Sequence, residues 1–160
     1  MKRSLVDHTI QIAKQAFDAI GFKLPPFAFW TVDDWKNMGP EVDEIRKCML
    51  GWDVTDFGQG NFPKLGRTLF TLRNGSTQYD LGKDYAEKLI LDPEGQRPPL
   101  HFHRHKMEDI INRGGGNILI IAACKGARIE WYLIEQDVCQ RDPFDSLALS
   151  LENLKGMGLD

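Results

Sequence analysis

The chain has 160 residues, of which 42% are hydrophobic and 27% charged, enough for one domain with a sizeable core. Its net charge of −3 excludes the basic surface of a nucleic-acid or anionic-membrane binder. No basic stretch followed by an apolar run opens the sequence, and no apolar run approaches ~18 residues, so a cytoplasmic protein is expected.

In chain order, residues 4–20 read as an amphipathic helix. Leu5, Ile12, Ala13, Ala16, Phe17 and Ile20 recur at helical spacing, and Gly21 follows as a C-terminal cap. His8, alone on this helix, reads as a surface or packing residue. In LPPFAFW, Pro25 and Pro26 stop the helix and predict extended backbone. Phe27, Phe29 and Trp30 then form an apolar arm over a core or over a dimer partner. Thr31 can cap a short helix whose first turn carries Asp33 and Asp34. EVDEIRKCML predicts another short helix. Cys48, Cys124 and Cys139 include no C-x-x-C pair and are expected as free thiols.

GWDVTDFGQGNFPKLG is glycine-rich and reads as a loop. It is either a sugar-facing loop carrying Trp52, Asp53, Thr55 and Asp56, or a loop tied down by Asx-type turns. RTLFTLR (67–73) alternates and predicts a strand, with Asn74-Gly75 as a turn signal. DYAEKLILD (84–92) predicts another strand, and Asp92-Pro93-Glu94-Gly95 a tight turn. NILIIAA (117–123) and ARIEWYLIE (127–135) predict further strands. Asp142-Pro143 opens a last helix with proline in its first turn.

The chemistry concentrates in Gly95–Gly116. Here His101-x-His103 is followed by Glu108 and by a glycine run. Strand alternation would project His101 and His103 from one face, and Glu108 can return a carboxylate after a short bend. Two imidazoles and one carboxylate suit a divalent ion such as Mn, Fe, Co, Ni or Zn. His105 has the same parity and is read as a surface or pocket residue. Lys106, between the histidines and Glu108, could hold a hydroxyl or an enediolate oxygen. Gly114 to Gly116 would let the chain turn tightly.

The spacing of Gly95–Gly116 is similar to the first motif of the cupins, small β-barrels that hold one divalent metal. LPPFAFWTVDDW, LGWDVTDFG, TLFTLRNG, YAEKLIL and PPLHFHRHKMEDIINRGGG together resemble the D-lyxose isomerases, a sugar-isomerase branch of the cupins, over residues 1–121. That resemblance implies a Mn(II)-dependent aldose–ketose isomerase interconverting D-lyxose and D-xylulose through an enediol. It implies His101, His103 and Glu108 as metal ligands and Lys106 and Glu108 as catalytic residues. Lys106, Lys88 and Glu87 would contact the sugar, and a homodimer is expected.

Two features depart from that family. No histidine follows His105, and no P-x-G-x-x-H is present. A fourth ligand would then be His105, a carboxylate, water or a residue of another subunit. Residues 125–160 are instead similar to the last strand and helix of sugar phosphate isomerase/epimerase TIM barrels, with Glu135 and Asp137 at a strand's C-terminal end. The expected fold is mainly β with N-terminal helices. It is a truncated cupin jelly-roll β-barrel over 1–122, followed over 123–160 by a non-cupin strand and a C-terminal helix, as an in-frame junction near residues 121–125 would produce. A catalytically incomplete chain that binds metal or sugar weakly is the alternative to the isomerase. An iron oxygenase built on two histidines and a carboxylate is a third class.

Overall fold

The computed structural model describes residues 1–76, 79, 83–99, 108–116 and 152. The predicted strands at 117–123 and 127–135, and the helix from Asp142 apart from Glu152, lie outside the described residues. The chain divides into two compact units, Met1–Phe102 and His103–Asp160.

The first unit opens with helix α1, Arg3–Ala19. Its buried residues Thr9, Ala13 and Phe17 are four apart, so they form one stripe along the helix. His8 is exposed. The helix ends as Gly21 predicts. Gly21 has φ +75°, its N–H donates to the Asp18 carbonyl, and the Phe22 N–H donates to the Phe17 carbonyl, both at 2.9 Å. This paired capping needs a left-handed residue, which glycine adopts without a Cβ penalty.

The arm after α1 is only partly extended. Pro25 is extended, but Pro26–Ala28 closes one 3-10 turn. The turn seats Phe27 5.3 Å from the Phe70 ring and leaves Ala28 3% exposed. Phe29 stays outside, with the Lys14 ammonium 5.0 Å from its ring centre.

Helix α2, Val32–Asn37, starts with a reciprocal cap. The Asp34 N–H donates to Thr31 Oγ1 at 3.2 Å, and the Thr31 N–H donates to Asp34 Oδ2 at 2.7 Å. The stretch predicted as one helix from Glu41 is a 3-10 turn, Pro40–Val42, leading into the short helix α3, Asp43–Lys47. Arg46 on α3 holds the preceding loop. Its guanidinium donates to the carbonyls of Trp35 (3.2 Å), Met38 (2.9 Å) and Gly39 (3.1 Å) and to Asp43 Oδ1 (3.2 Å). The guanidinium also lies 5.8 Å from the Trp35 ring centre.

Three strands form an antiparallel sheet in the order β1-β2-β3. They are β1 (Gly51–Thr55), β2 (Arg67–Arg73) and β3 (Glu87–Leu91). β2 has the predicted boundaries. β3 is shorter than predicted, since residues 84–86 carry no ladder bonds. β1 lies where a loop was expected. Pairing of Trp52 with Phe70 and of Val54 with Thr68 makes a strand of a segment whose composition reads as turn. Helix α4, Phe62–Leu65, connects β1 to β2.

The core lies between α1, the arm and one face of the sheet. Ala13, Phe17, Ala28, Phe70 and Leu89 are its buried members, with Phe22, Leu24, Phe27, Trp52, Leu72 and Leu91 packed around them. Phe70 is 0% exposed, and a fully buried phenylalanine contributes about 1.5–3 kcal/mol. Trp52 stacks on Phe17 with 6.2 Å between ring centres and meets Phe70 edge-on at 4.8 Å. Cys48 is a free, buried thiol. No helix among the described residues is long and apolar enough to cross a membrane.

Candidate functional site

The side chains of β3 are sorted by strand alternation. Leu89 and Leu91 face the core with Phe70, so Glu87 falls on that side while Lys88 and Ile90 fall on the opposite one. Glu87 and Lys88, adjacent in sequence, therefore project to different faces. Lys88 is exposed and stands across the ladder from Thr71.

A bulge resolves the position of Glu87. The pairing runs Phe70 with Leu89, Thr71 with Lys88, then Arg73 with Glu87. Regular pairing would set Leu72 opposite Glu87. The extra residue substitutes Arg73, whose Nη1 donates to Glu87 Oε2 at 2.8 Å. The carboxylate that strand parity places beside apolar neighbours thereby gains a cation. Arg73 and Leu72 also border a cavity of about 170 Å³ whose walls include Glu44, Lys83 and Tyr85. Its charges are paired internally, Arg73 with Glu87 and Lys83 with Glu44. The Glu44 carboxylate holds the Lys83 ammonium above its ordinary pKa.

The segment leading toward the histidines is anchored on both sides. Arg67 makes a two-pronged bridge to Asp92, Nε–Oδ1 3.1 Å and Nη2–Oδ2 2.7 Å, with both side chains about one-fifth exposed (21% and 19%). The predicted turn follows one residue later than expected. The Gln96 N–H donates to the Pro93 carbonyl at 3.0 Å, and Gly95 takes φ +81°, a position that favours glycine. Gln96 Nε2 then donates to the Phe62 carbonyl at 2.8 Å, and the Arg97 N–H to the Lys64 carbonyl at 2.8 Å. The backbone at 92–97 is thus fastened to α4 and to the start of β2.

His101, His103, His105 and Lys106 lie outside the described residues. Glu108 belongs to the second unit and is exposed. In that unit Asn112 ties the glycine run. Its Oδ1 accepts from the Gly114 N–H at 3.3 Å, and its Nδ2 donates to the Gly116 carbonyl at 3.0 Å. Among the described residues no group of three or more His, Cys, Asp or Glu side chains is gathered to hold a metal. The chemistry of the motif's donors, two neutral imidazoles and a carboxylate, fits a divalent ion.

Of the other sequence candidates, Asp53 is exposed, while Trp52, Thr55 and Asp56 make structural contacts. The Trp52 indole N–H donates to the Ala28 carbonyl at 2.9 Å, so that ring belongs to the core. Thr55 Oγ1 accepts from the Phe57 N–H, and Asp56 Oδ1 from the Gly58 N–H, each at 3.0 Å. These are the Asx-type ties expected of this segment. Sequence reading passed over Thr71 and Arg73. Both are ordinary strand residues until the register sets them opposite Lys88 and Glu87.

Comparison with known proteins extends these observations. The family described as D-lyxose isomerase matches residues 1–137. The chain is 44% identical over 122 residues to the D-lyxose/D-mannose isomerase of Escherichia coli O157:H7, covering 75% of this chain and 54% of the relative. It has the same identity and coverage with the protein of that name from Serratia proteamaculans. The chain therefore spans about half the length of the curated relatives it matches.

Proposed function

Because the chain belongs to the D-lyxose isomerase family, we propose that it serves a metal-dependent aldose–ketose isomerisation, D-lyxose to D-xylulose, through an enediol. The observation that carries this reading is the family match over residues 1–137, which contains the whole histidine motif. The relatives' printed name adds D-mannose. That hexose repeats the C2–C4 configuration of D-lyxose, so a site that reads those hydroxyls would accept either sugar.

In this reading His101, His103 and Glu108 hold Mn(II) within a cupin β-barrel. The bound ion would supply Lewis-acid polarisation of the sugar carbonyl and its neighbouring hydroxyl. Lys106 would hold the enediolate oxygen by charge, and Glu108 and Lys106 are the residues that would move the proton between C1 and C2. Lys88 binds the sugar from the sheet. Glu87, whose carboxylate Arg73 holds at the start of β3, is the second sugar-contacting residue of this strand in the same reading. A homodimer in the cytoplasm and a junction between residues 122 and 123 remain part of the proposal.

The test is metal content together with a lyxose–xylulose assay on the purified chain. Bound Mn(II) with turnover that a chelator abolishes and Mn(II) restores supports the isomerase. Metal binding without turnover of either D-lyxose or D-mannose supports the alternative, a chain that binds but does not convert. His101→Asn should lower both metal affinity and turnover. Full metal occupancy in that variant would remove His101 from the ligand set.

A further inference from the structure

Of the asparagines in the chain, Asn74 alone is followed by glycine. The pair comes directly after β2, and two separate demands of the fold place it there. The first falls on the side chain. Asn74 Nδ2 donates to the Cys48 carbonyl at 3.0 Å, which ties the end of β2 to the C-cap of α3. Cys48 is 1% exposed, so a donor for its carbonyl must come from the protein. The second demand falls on the backbone. A Cβ built on Gly75 would overlap the Lys83 carbonyl oxygen. That neighbour is main chain and cannot swing aside, so glycine alone allows the approach.

Together these demands set a carboxamide beside a backbone nitrogen that no Cβ shields. A nitrogen of that kind attacks the preceding carboxamide more readily than any other in a chain. Asn74 and Gly75 are half-buried, and the cavity of about 170 Å³ that Arg73 borders has Asn74 in its wall. Water can therefore reach the carboxamide, and ammonia can leave it.

We infer that Asn74 is a site of spontaneous deamidation, and that the reaction releases the tie between β2 and α3. The inference is independent of the isomerase reading. The Gly75 nitrogen gives up its proton to water and bonds to Asn74 Cγ. The Cγ–Nδ2 bond breaks and ammonia leaves. Water then opens the resulting five-membered imide at either carbonyl. One opening gives aspartate. The other gives isoaspartate, in which the main chain runs through the side-chain carboxyl carbon. Nothing is oxidised or reduced, and water is the one co-reactant. Either product puts a carboxylate oxygen where Nδ2 had donated, and that oxygen repels the Cys48 carbonyl instead of binding it. Glu44, in the same cavity wall, adds a like charge. Isoaspartate also lengthens the main chain just after Arg73, the partner of Glu87. The change does not reverse once ammonia has left, so the pair acts as a timer on this part of the fold.

Two measurements test the inference on the full chain. In the first, the unaltered protein is aged in mildly alkaline buffer, and peptide mapping by mass spectrometry follows the conversion of each asparagine. Asn74 should convert about tenfold faster than any other, because it alone precedes a residue without a Cβ. An Asn74 that keeps its amide as long as the others overturns the inference. The second measurement is hydrogen exchange in Asn74→Asp. The amides of Cys48, Met49 and Leu50 donate to the carbonyls of Glu44, Arg46 and Ile45, so they report on the end of α3. Their exchange should rise about fivefold, while Val54 and Thr68, at the other end of the β1–β2 ladder, stay within about twofold of the parent. Unchanged exchange at Cys48, Met49 and Leu50 in a folded variant overturns the release of the tie. If Asn74→Asp does not fold, the same exchange measured on the aged, partly converted parent decides the point.

Discussion

The Trp52 indole N–H donates to the Ala28 carbonyl at 2.9 Å, joining β1 to the arm that precedes it by more than a helix. The same ring fills the gap between Phe17 and Phe70. Trp52→Phe keeps much of the apolar contact but removes the donor from a carbonyl belonging to a residue 3% exposed. The expected loss is about 1–3 kcal/mol, the cost of an unpaired buried acceptor. Urea unfolding checks it through a lower midpoint at an unchanged slope.

Thr68 presents the reverse case. It is 0% exposed, and among the described residues its Oγ1 has no hydrogen-bond partner. It sits on the core face, paired with Val54 and Leu91. Thr68→Val replaces the hydroxyl with a methyl of similar volume and should raise stability by about 1 kcal/mol. A lower unfolding midpoint for the variant would contradict this account of the site.

The Arg67–Asp92 bridge anchors the turn that precedes the histidine motif. Arg67→Met leaves a partly buried carboxylate without its fork. It should cost about 1.5–3 kcal/mol. Amide exchange should rise first at Gln96 and Arg97, whose bonds to Phe62 and Lys64 share the anchor. Exchange that rises uniformly over the sheet would instead mark the bridge as a global support.

The cap of α2 gives a pH-dependent outcome. The Thr31 hydroxyl, then the Thr31 N–H, hold the Asp34 carboxyl below its ordinary value of 3.8. A carboxyl with a lowered folded-state pKa favours the fold above its unfolded value, and that contribution fades as pH falls through the folded value. Order in Val32–Asn37 should therefore persist above about pH 4 and decline in stronger acid. Thr31→Ala should cost about 1 kcal/mol at neutral pH. It should also weaken the acid dependence at α2, followed by NMR shifts of the Asp33 and Asp34 amides.

Where one segment's own pattern decided its structure, the sequence was readable. The apolar spacing that includes Ala13 and Phe17, with the cap at Gly21, marks α1, although Ile12 and Ile20 of that spacing are exposed and Thr9 is buried instead, and the alternation of RTLFTLR marks β2 to the residue. Where a partner decided, it was not. GWDVT has flanking glycines and two polar residues, and only its ladder with β2 makes it a strand. The helix predicted from Glu41 instead opens as the 3-10 turn Pro40–Val42, whose first position suits a ring without an N–H. The bulge at Thr71/Arg73 leaves no trace in composition, so the pairing of Arg73 with Glu87 appears only in register. The histidine pair was legible as donor chemistry, since residue type and spacing suffice for that, while its geometry depends on backbone outside the described residues.

Arg46 concentrates in one side chain what a regular element distributes over many. The loop between α2 and α3 has no ladder of its own, and two of its carbonyls, Met38 and Gly39, converge with the Trp35 carbonyl of α2 on a single guanidinium. The shape of that loop is therefore inherited from a residue several positions downstream. A lysine at this position would preserve charge and helix propensity while offering no planar fork. The change would look silent on α3 and would register at Trp35, where the aromatic contact with Trp30 begins.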